Sequence, residues 1–342
     1  MNKDSLSKIL KNKQQLSAII TVIVIAISFT IGFSTNPDSE RADEVKSSYS
    51  ESKSDAEAKK KAKKEEKKHF FFLKRTTTQA PKIKKISKVT DEMRNKFYGE
   101  SAFIGNSIGV GLKAYFENQG SDFLGSPLMF VMGNYSFDND SGSSSYKITY
   151  NGTPMMAKDA VKASKVPRVF IAMGTNDCFG DENYVFKEYK KYIVGIKKES
   201  PNVVIFIEST TGVTAAQQGT YLNSKTITGL NNLMKEYCKT QKDMYYIDVD
   251  TKMLDGNGYL KSEYSSDNYV HLTNSAYELW TNELIKYTDK LMIKEYNAKS
   301  ATKVAVDTYS ESAIKEAHNI VKSLENSTLK DKLNKQLKSI EE

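Results

Sequence analysis

Cysteine and histidine are scarce: the 342 residues hold two cysteines and three histidines. Cys178 and Cys238 lie far apart, with no Cys-x-x-Cys pair, so neither a disulfide framework nor a cysteine zinc site is readable. A single bridge between them stays open for an exported domain, although Cys238 sits in an ordinary helical pattern. No metal-ligand cluster and no phosphate loop occur, which removes support for phosphate-ester chemistry. No cofactor and no metal are called for. A basic nucleic-acid footprint is also lacking where it would matter. The net charge is +8, but the first 100 residues carry 22 Lys/Arg against 13 Asp/Glu, out of 50 and 42 in the whole chain. The rest is therefore near neutral, which argues against nucleic acid as a partner.

The first 98 residues are polar, apart from a short apolar interruption at Phe70 to Leu73 and one long apolar run. Residues 16–33 (LSAIITVIVIAISFTIGF) run eighteen positions without a charge, just enough to cross a bilayer. Lys3, Lys8, Lys11 and Lys13 precede the run, which orients the N-terminus inside and the remainder outside. A cleaved signal peptide is the alternative, although the run is long for one and no clear Ala-x-Ala site follows. Either way the rest of the chain is expected to be exported. Residues 34–98 read as a charged linker. Within it 54–68 holds no large apolar residue and cannot bury a core.

From residue 99 the pattern alternates between strand and helix. Strands are expected at 102–105, 127–132, 167–173, 202–208 and 244–249, and helices at 108–117, 158–164, 184–199, 222–241 and 272–294. The runs PRVFIAM and NVVIFIE are continuously apolar, as in strands buried on both faces. A small hairpin arm is expected at 146–150. Five strands separated by helices give a three-layer α/β/α sandwich on a parallel sheet. Ligands bind such sheets beyond the carboxyl ends of the strands. After residue 298, two amphipathic helices are expected at 306–324 and 329–340, the second capped by Thr328.

Three of the sheet-edge loops carry polar residues of one kind. Gly105-Asn106-Ser107 follows the first strand at a helix start. On its own Ser107 reads as a helix cap. Gly174-Thr175-Asn176-Asp177 follows PRVFIAM, and Asp267-Asn268-Tyr269-Val270-His271 precedes the last long helix. A hydroxyl to attack a carbonyl, an imidazole to move its proton and an amide to hold an oxyanion are the parts of acyl transfer. His69 lies in the linker and His318 in the tail, so a histidine-dependent site in the α/β part must use His271.

These stretches resemble the SGNH (GDSL-type) hydrolase superfamily over about residues 99–297. FIGNSIGVGL is similar to its first block, with Ser107 as nucleophile. VMGNYSF is similar to the second, with Gly133 giving a backbone N–H to the oxyanion hole. IAMGTNDCFG is similar to the third, with Asn176 giving a side-chain N–H, and DNYVHLT to the fifth, with His271 as base. Residues 146–160 resemble the arm-plus-helix insertion of exported clostridial-type members. The resemblance implies a flavodoxin-like sandwich. Two departures stand out. Asn106 replaces the usual aspartate before the serine. The acid's usual place, three residues before the histidine, holds Asn268, while Asp267 lies one earlier. Asp267, Asn268 or a backbone carbonyl is then left to orient His271.

The reading implied is an extracellular, membrane-anchored serine esterase that removes a small acyl group, such as acetyl, from a carbohydrate or cell-wall polymer. Transfer of the acyl group to another hydroxyl uses the same residues. A non-catalytic surface binding module is the alternative of a different class, motivated by the missing acid at 268 and by the helical tail. The loops at 134–156, 177–183 and 209–221 are placed to choose the substrate, with Tyr135, Phe137, Phe179 and Tyr184 as candidate sugar-stacking aromatics.

Overall fold

The computed structural model describes residues 59–63, 82–141 and 145–341. The apolar run at 16–33, and with it the expected anchor, lies outside them. Residues 59–63 are helical and belong to a separate unit. The sheet, its helices and the site all belong to the unit that begins at residue 71. Among the described residues no helix is long and apolar enough to cross a membrane.

Five strands form one parallel sheet: β1 (Ser101–Gly105), β2 (Leu128–Val131), β5 (Arg168–Ala172), β6 (Val204–Glu208) and β7 (Met244–Ile247). Their spatial order is β2-β1-β5-β6-β7, the flavodoxin-like winding. Two further strands, β3 (Ile148–Tyr150) and β4 (Thr153–Met155), pair antiparallel as the expected hairpin arm. Asn151 and Gly152 turn it with φ of 49° and 76°, as a two-residue hairpin loop requires.

The central strands alternate aliphatic and aromatic residues, and the two sets build different layers. Ala102, Ile104, Val169, Ile171, Ile205 and Ile207 face one side. They meet α3 (Ala157–Ser164), α4 (Glu182–Glu199) and α5 (Ser224–Thr240) through residues such as Tyr189, Ile193, Leu230 and Met234. Phe103, Phe170, Phe206 and Tyr245 face the other. These four sit opposite one another in register and stack across the sheet at centroid distances of 4.7, 4.5 and 5.1 Å. Such cross-strand ring pairs add to the energy of burial itself. This aromatic ladder is covered by α1 (Asp91–Gly99), α2 (Ser107–Gln119) and α6 (Asn274–Thr308), through Tyr98, Leu112, Phe116, Trp280 and Leu284.

Three expectations need correction. The packed chain begins before residue 99. Thr90 caps α1 by accepting from Met93 N–H at 3.2 Å, and Tyr98 is fully buried, its hydroxyl bonded to Thr288 at 2.8 Å. Upstream, the Asn297 side chain pairs with both backbone groups of Ile86, at 2.8 and 3.0 Å. The long helix also runs through residue 298 without a break. Ala298, Ala301 and Ala305 on its last turns are buried against α7 (Glu311–Lys322) and α8 (Thr328–Lys338). Thr328 does not cap α8. Ser327 does, by accepting from Lys330 N–H at 3.2 Å, while Thr328 N–H and hydroxyl both bond Asp243 at the start of β7.

Candidate active site

The candidate site lies where the winding reverses, at the carboxyl ends of β1 and β5. Each side chain here is set by its local chain. After β1, Asn106 is 1% exposed and caps α2, its Oδ1 accepting from Ile108 N–H at 3.0 Å. That leaves Ser107 as the first helical residue, where N–H groups have no intrahelical acceptor. The cap is thus Asn106 rather than Ser107, so the serine hydroxyl is not used in capping. The helix is fixed from α6 as well. Tyr277 donates its hydroxyl to Ile108 O at 2.9 Å, and it sits against Gly111, where an added Cβ would lie 2.0 Å from the Tyr277 oxygen.

Ser107 Oγ lies 3.0 Å from His271 Nε2, and His271 Nδ1 lies 2.6 Å from Asp267 Oδ2. A carboxylate only accepts, so it selects the imidazole with its proton on Nδ1 and leaves Nε2 to accept from the serine. The other oxygen, Oδ1, accepts from the backbone N–H of Tyr269, Val270 and His271 at 2.8, 3.1 and 3.2 Å, and from the Ser265 hydroxyl at 3.1 Å. Partial burial pushes the Asp267 pKa up, but the bonds from His271, the backbone and Ser265 outweigh this and hold it below its ordinary value.

Asn268 does not face the imidazole through any described hydrogen bond. Its backbone is left-handed, with φ of 56°, a conformation asparagine tolerates better than most residues. The turn that this φ creates brings Asp267, four residues before the histidine, to Nδ1.

The remaining loops bring Gly133 and Asn176 to the same edge. Gly133 follows β2 and is exposed, with open space where a side chain would stand. Asn176 Nδ2 donates to Tyr135 O at 3.0 Å, which ties the Asn176 loop to the Gly133 loop and leaves the second amide hydrogen free of that bond. Asp177 strengthens the tie by accepting from Phe137 N–H at 2.6 Å. It is 5% exposed, its Oδ2 has no partner, and burial pushes its pKa up to about 7. Of the four aromatics named from sequence, one is fully buried and one is half-buried in ring contacts. Tyr135 is buried, and Phe137 packs on Tyr189 and Tyr192 at 4.8 and 5.1 Å. Phe179 and Tyr184 are exposed, and so is Tyr221, which sequence did not single out. Cys178 and Cys238 are separate, buried and free, so no bridge joins them.

Sequence patterning missed several buried polar groups at this edge. Glu208 ends β6 and accepts from Trp280 Nε1 at 2.5 Å, while its other oxygen has no partner. Burial raises its pKa to about 8. Asp250 is likewise raised to about 7 and accepts from Gly212 N–H at 2.9 Å. Among the described residues no cluster of three or more His, Cys, Asp or Glu is placed to hold a metal ion.

A flavodoxin-like sandwich with a Ser–His–Asp relay at its switch point defines a class, that of serine acylhydrolases. The comparison with known families is specific. Residues 103–279 match the GDSL-like lipase/acylhydrolase family, and the chain belongs to it. It is thus an ester-bond hydrolase by family. No curated protein matches the chain. Among solved structures it is similar to a GDSL-like lipase from Bacteroides thetaiotaomicron (16% identity, 65% of this chain and 97% of that one, TM-score 0.43). A family 3 carbohydrate esterase from Talaromyces cellulolyticus is similar at 12% identity, over 57% of this chain and 98% of that one, with a TM-score of 0.38. One from Clostridium thermocellum is similar at 14%, over 55% and 94%, with a TM-score of 0.39.

Proposed function

We propose that this protein is a serine esterase that removes a small acyl group, most simply acetyl, from an O-acylated carbohydrate or cell-wall polymer. The observation that carries the reading is the continuous relay Ser107–His271–Asp267. Ser107 Oγ attacks the ester carbonyl carbon while its proton passes to His271 Nε2. The oxyanion forms near the N–H groups of Ser107 and Gly133 and the Asn176 amide, which stabilise it. Collapse breaks the bond to the sugar oxygen, which leaves with the proton from His271. Water then attacks the acyl-serine with His271 as base, and the carboxylic acid is released. Asp267 keeps the imidazole in the reactive tautomer throughout.

The exposed rings of Phe179 and Tyr221, on loops, and of Tyr184, in the first turn of α4, support a carbohydrate as the alcohol, because sugar faces stack on aromatic rings. The uncharged run at 16–33, with lysines before it, supports a membrane anchor and an extracellular domain at the end of a charged tether. The binding-module alternative rests on the absent acid at 268 and on the C-terminal helical tail; against the first ground, the Asp267 carboxylate lies 2.6 Å from His271 Nδ1. The test is hydrolysis of a chromogenic acetyl ester by the full chain. The wild type should turn over and Ser107→Ala should lose at least about 10³ in kcat. Equal rates for the two would end the proposal.

A further inference from the structure

The loop that carries both Asp267 and His271 is hydrogen-bonded by a buried residue on a different loop. Thr214 lies in the connection from β6 to α5 and is 2% exposed. Its hydroxyl donates to Asn268 O at 2.7 Å, and its N–H donates to Tyr269 O at 3.1 Å. These are the two carbonyls that directly follow Asp267. Thr214 is itself fixed by groups outside the acid–base loop. Gly212 N–H bonds Asp250 at 2.9 Å, Leu260 N–H bonds Val213 O at 3.0 Å, and Gln218 Nε2 donates to Thr214 O at 2.7 Å. Val213 and Val270 pack together with Ile227 beside this tie.

Buried Leu272 and Val270 anchor the C-terminal half of the acid–base loop, and its internal bonds fix its shape. Ser266 N–H bonds His271 O at 2.8 Å, and Asp267 gathers the N–H groups of residues 269 to 271. Where the Asp267–Asn268 half sits relative to Ser107, which is carried by another element, then depends on the bonds from Thr214. We infer that Thr214 is a positioning residue for the reaction: its hydroxyl and N–H hold the Asp267–His271 loop, including the left-handed turn at Asn268, at the distance from Ser107 that proton transfer needs. The inference rests on the esterase reading above.

Thr214→Val and Thr214→Ser in the full chain test it. Valine keeps the shape and deletes the hydroxyl, whereas serine keeps the donor. Thr214→Val is expected to lose about ten- to a hundredfold in kcat with KM within about twofold, because misplacement of a reacting group acts on the chemical step. Thr214→Ser is expected to stay within about threefold of wild type. A second readout does not need turnover. The far-downfield proton resonance of the imidazole N–H shared with Asp267 should persist in wild type and Thr214→Ser, and broaden or vanish in Thr214→Val. A role confined to stability would lower the melting temperature and leave both kcat at a permissive temperature and the resonance intact, and that result overturns the inference. If Thr214→Val fails to fold, Thr214→Ala with the same two readouts decides. If the wild type hydrolyses no ester, the esterase reading falls, while the resonance still reports whether Thr214 orders the loop.

Discussion

Replacing Asp267 by asparagine is the sharpest perturbation of this site, because asparagine keeps the shape and changes the donor pattern. In the native loop Oδ1 gathers three backbone N–H groups and Oδ2 faces His271 Nδ1. In Asp267→Asn the one remaining carbonyl oxygen is claimed by those three donors, so the NH2 turns toward the imidazole. It then donates to Nδ1, which forces the proton onto Nε2, where Ser107 needs an acceptor. The same inversion in a buried triad costs about 10⁴ in kcat. Here the side chains of Asp267 and His271 are 35% and 45% exposed, so water screens the lost charge and lets the ring re-equilibrate. We expect a loss of about 10³, or about 4 kcal/mol of barrier. The paired control is Asn268→Asp, which places a carboxylate in the family's usual position for the acid. Its side chain makes no described bond to His271, and aspartate also accepts the left-handed backbone, so the rate should stay within about threefold. Steady-state hydrolysis of a chromogenic acetyl ester, with circular dichroism to confirm folding, measures both. If Asn268→Asp rescued Asp267→Asn, or if Asp267→Asn kept a tenth of the wild-type rate, the assignment of the orienting acid would be refuted.

The geometry sets three further outcomes. Asn176→Ala removes the proposed oxyanion donor and the tie to Tyr135 O, so kcat on the same ester should fall about 10²- to 10³-fold, more than KM changes. Gly111→Ala puts a Cβ 2.0 Å from the Tyr277 hydroxyl. Chemical denaturation should show a loss of about 1–3 kcal/mol, with a lower kcat because α2 carries Ser107; a stability equal to wild type would contradict the packing. Glu208, Asp177 and Asp250 have folded pKa values raised by burial to about 8, 7 and 7, above ordinary values of 4.5, 3.8 and 3.8. Between these limits the folded protein holds protons that the unfolded chain has released, so stability should decline as pH rises from about 4 to about 8. Melting temperatures across that range should slope downward, and Glu208→Gln should flatten the slope above pH 5; an unchanged slope would show that Glu208 does not titrate in this window.

The sheet was legible because its signal is local and strong. Runs such as PRVFIAM and NVVIFIE leave few alternatives to a strand buried on both faces. The division of each run into an aliphatic and an aromatic face was equally present in the letters, but only the register of β1, β5, β6 and β7 turns it into a stacked ladder. The helix α1 was hidden because its apolar anchors, Val89, Phe97 and Tyr98, are embedded among lysines and acids that read as linker. The last turns of α6 were hidden for a different reason. They bury alanines, whose small side chains give a weak periodic signal while letting α7 pack close.

The site shows the same division between side-chain chemistry and backbone geometry. Ser107, Asn176 and His271 could be placed from sequence because each sits next to a strand end or helix start that the pattern locates. The choice between Asp267 and Asn268 could not, since it turns on one dihedral angle. Were Asn268 right-handed, the chain from 267 to 271 would take another path and the carboxylate would leave Nδ1. At φ of 56° the turn closes, three N–H groups converge on Asp267 Oδ1, and Oδ2 is left aimed at the imidazole. The asparagine that looked like a missing acid is the residue whose backbone brings the Asp267 carboxylate to the imidazole. The carbonyl that this turn exposes is the one that Thr214 binds, so the shifted acid and its outside tie come from a single local conformation.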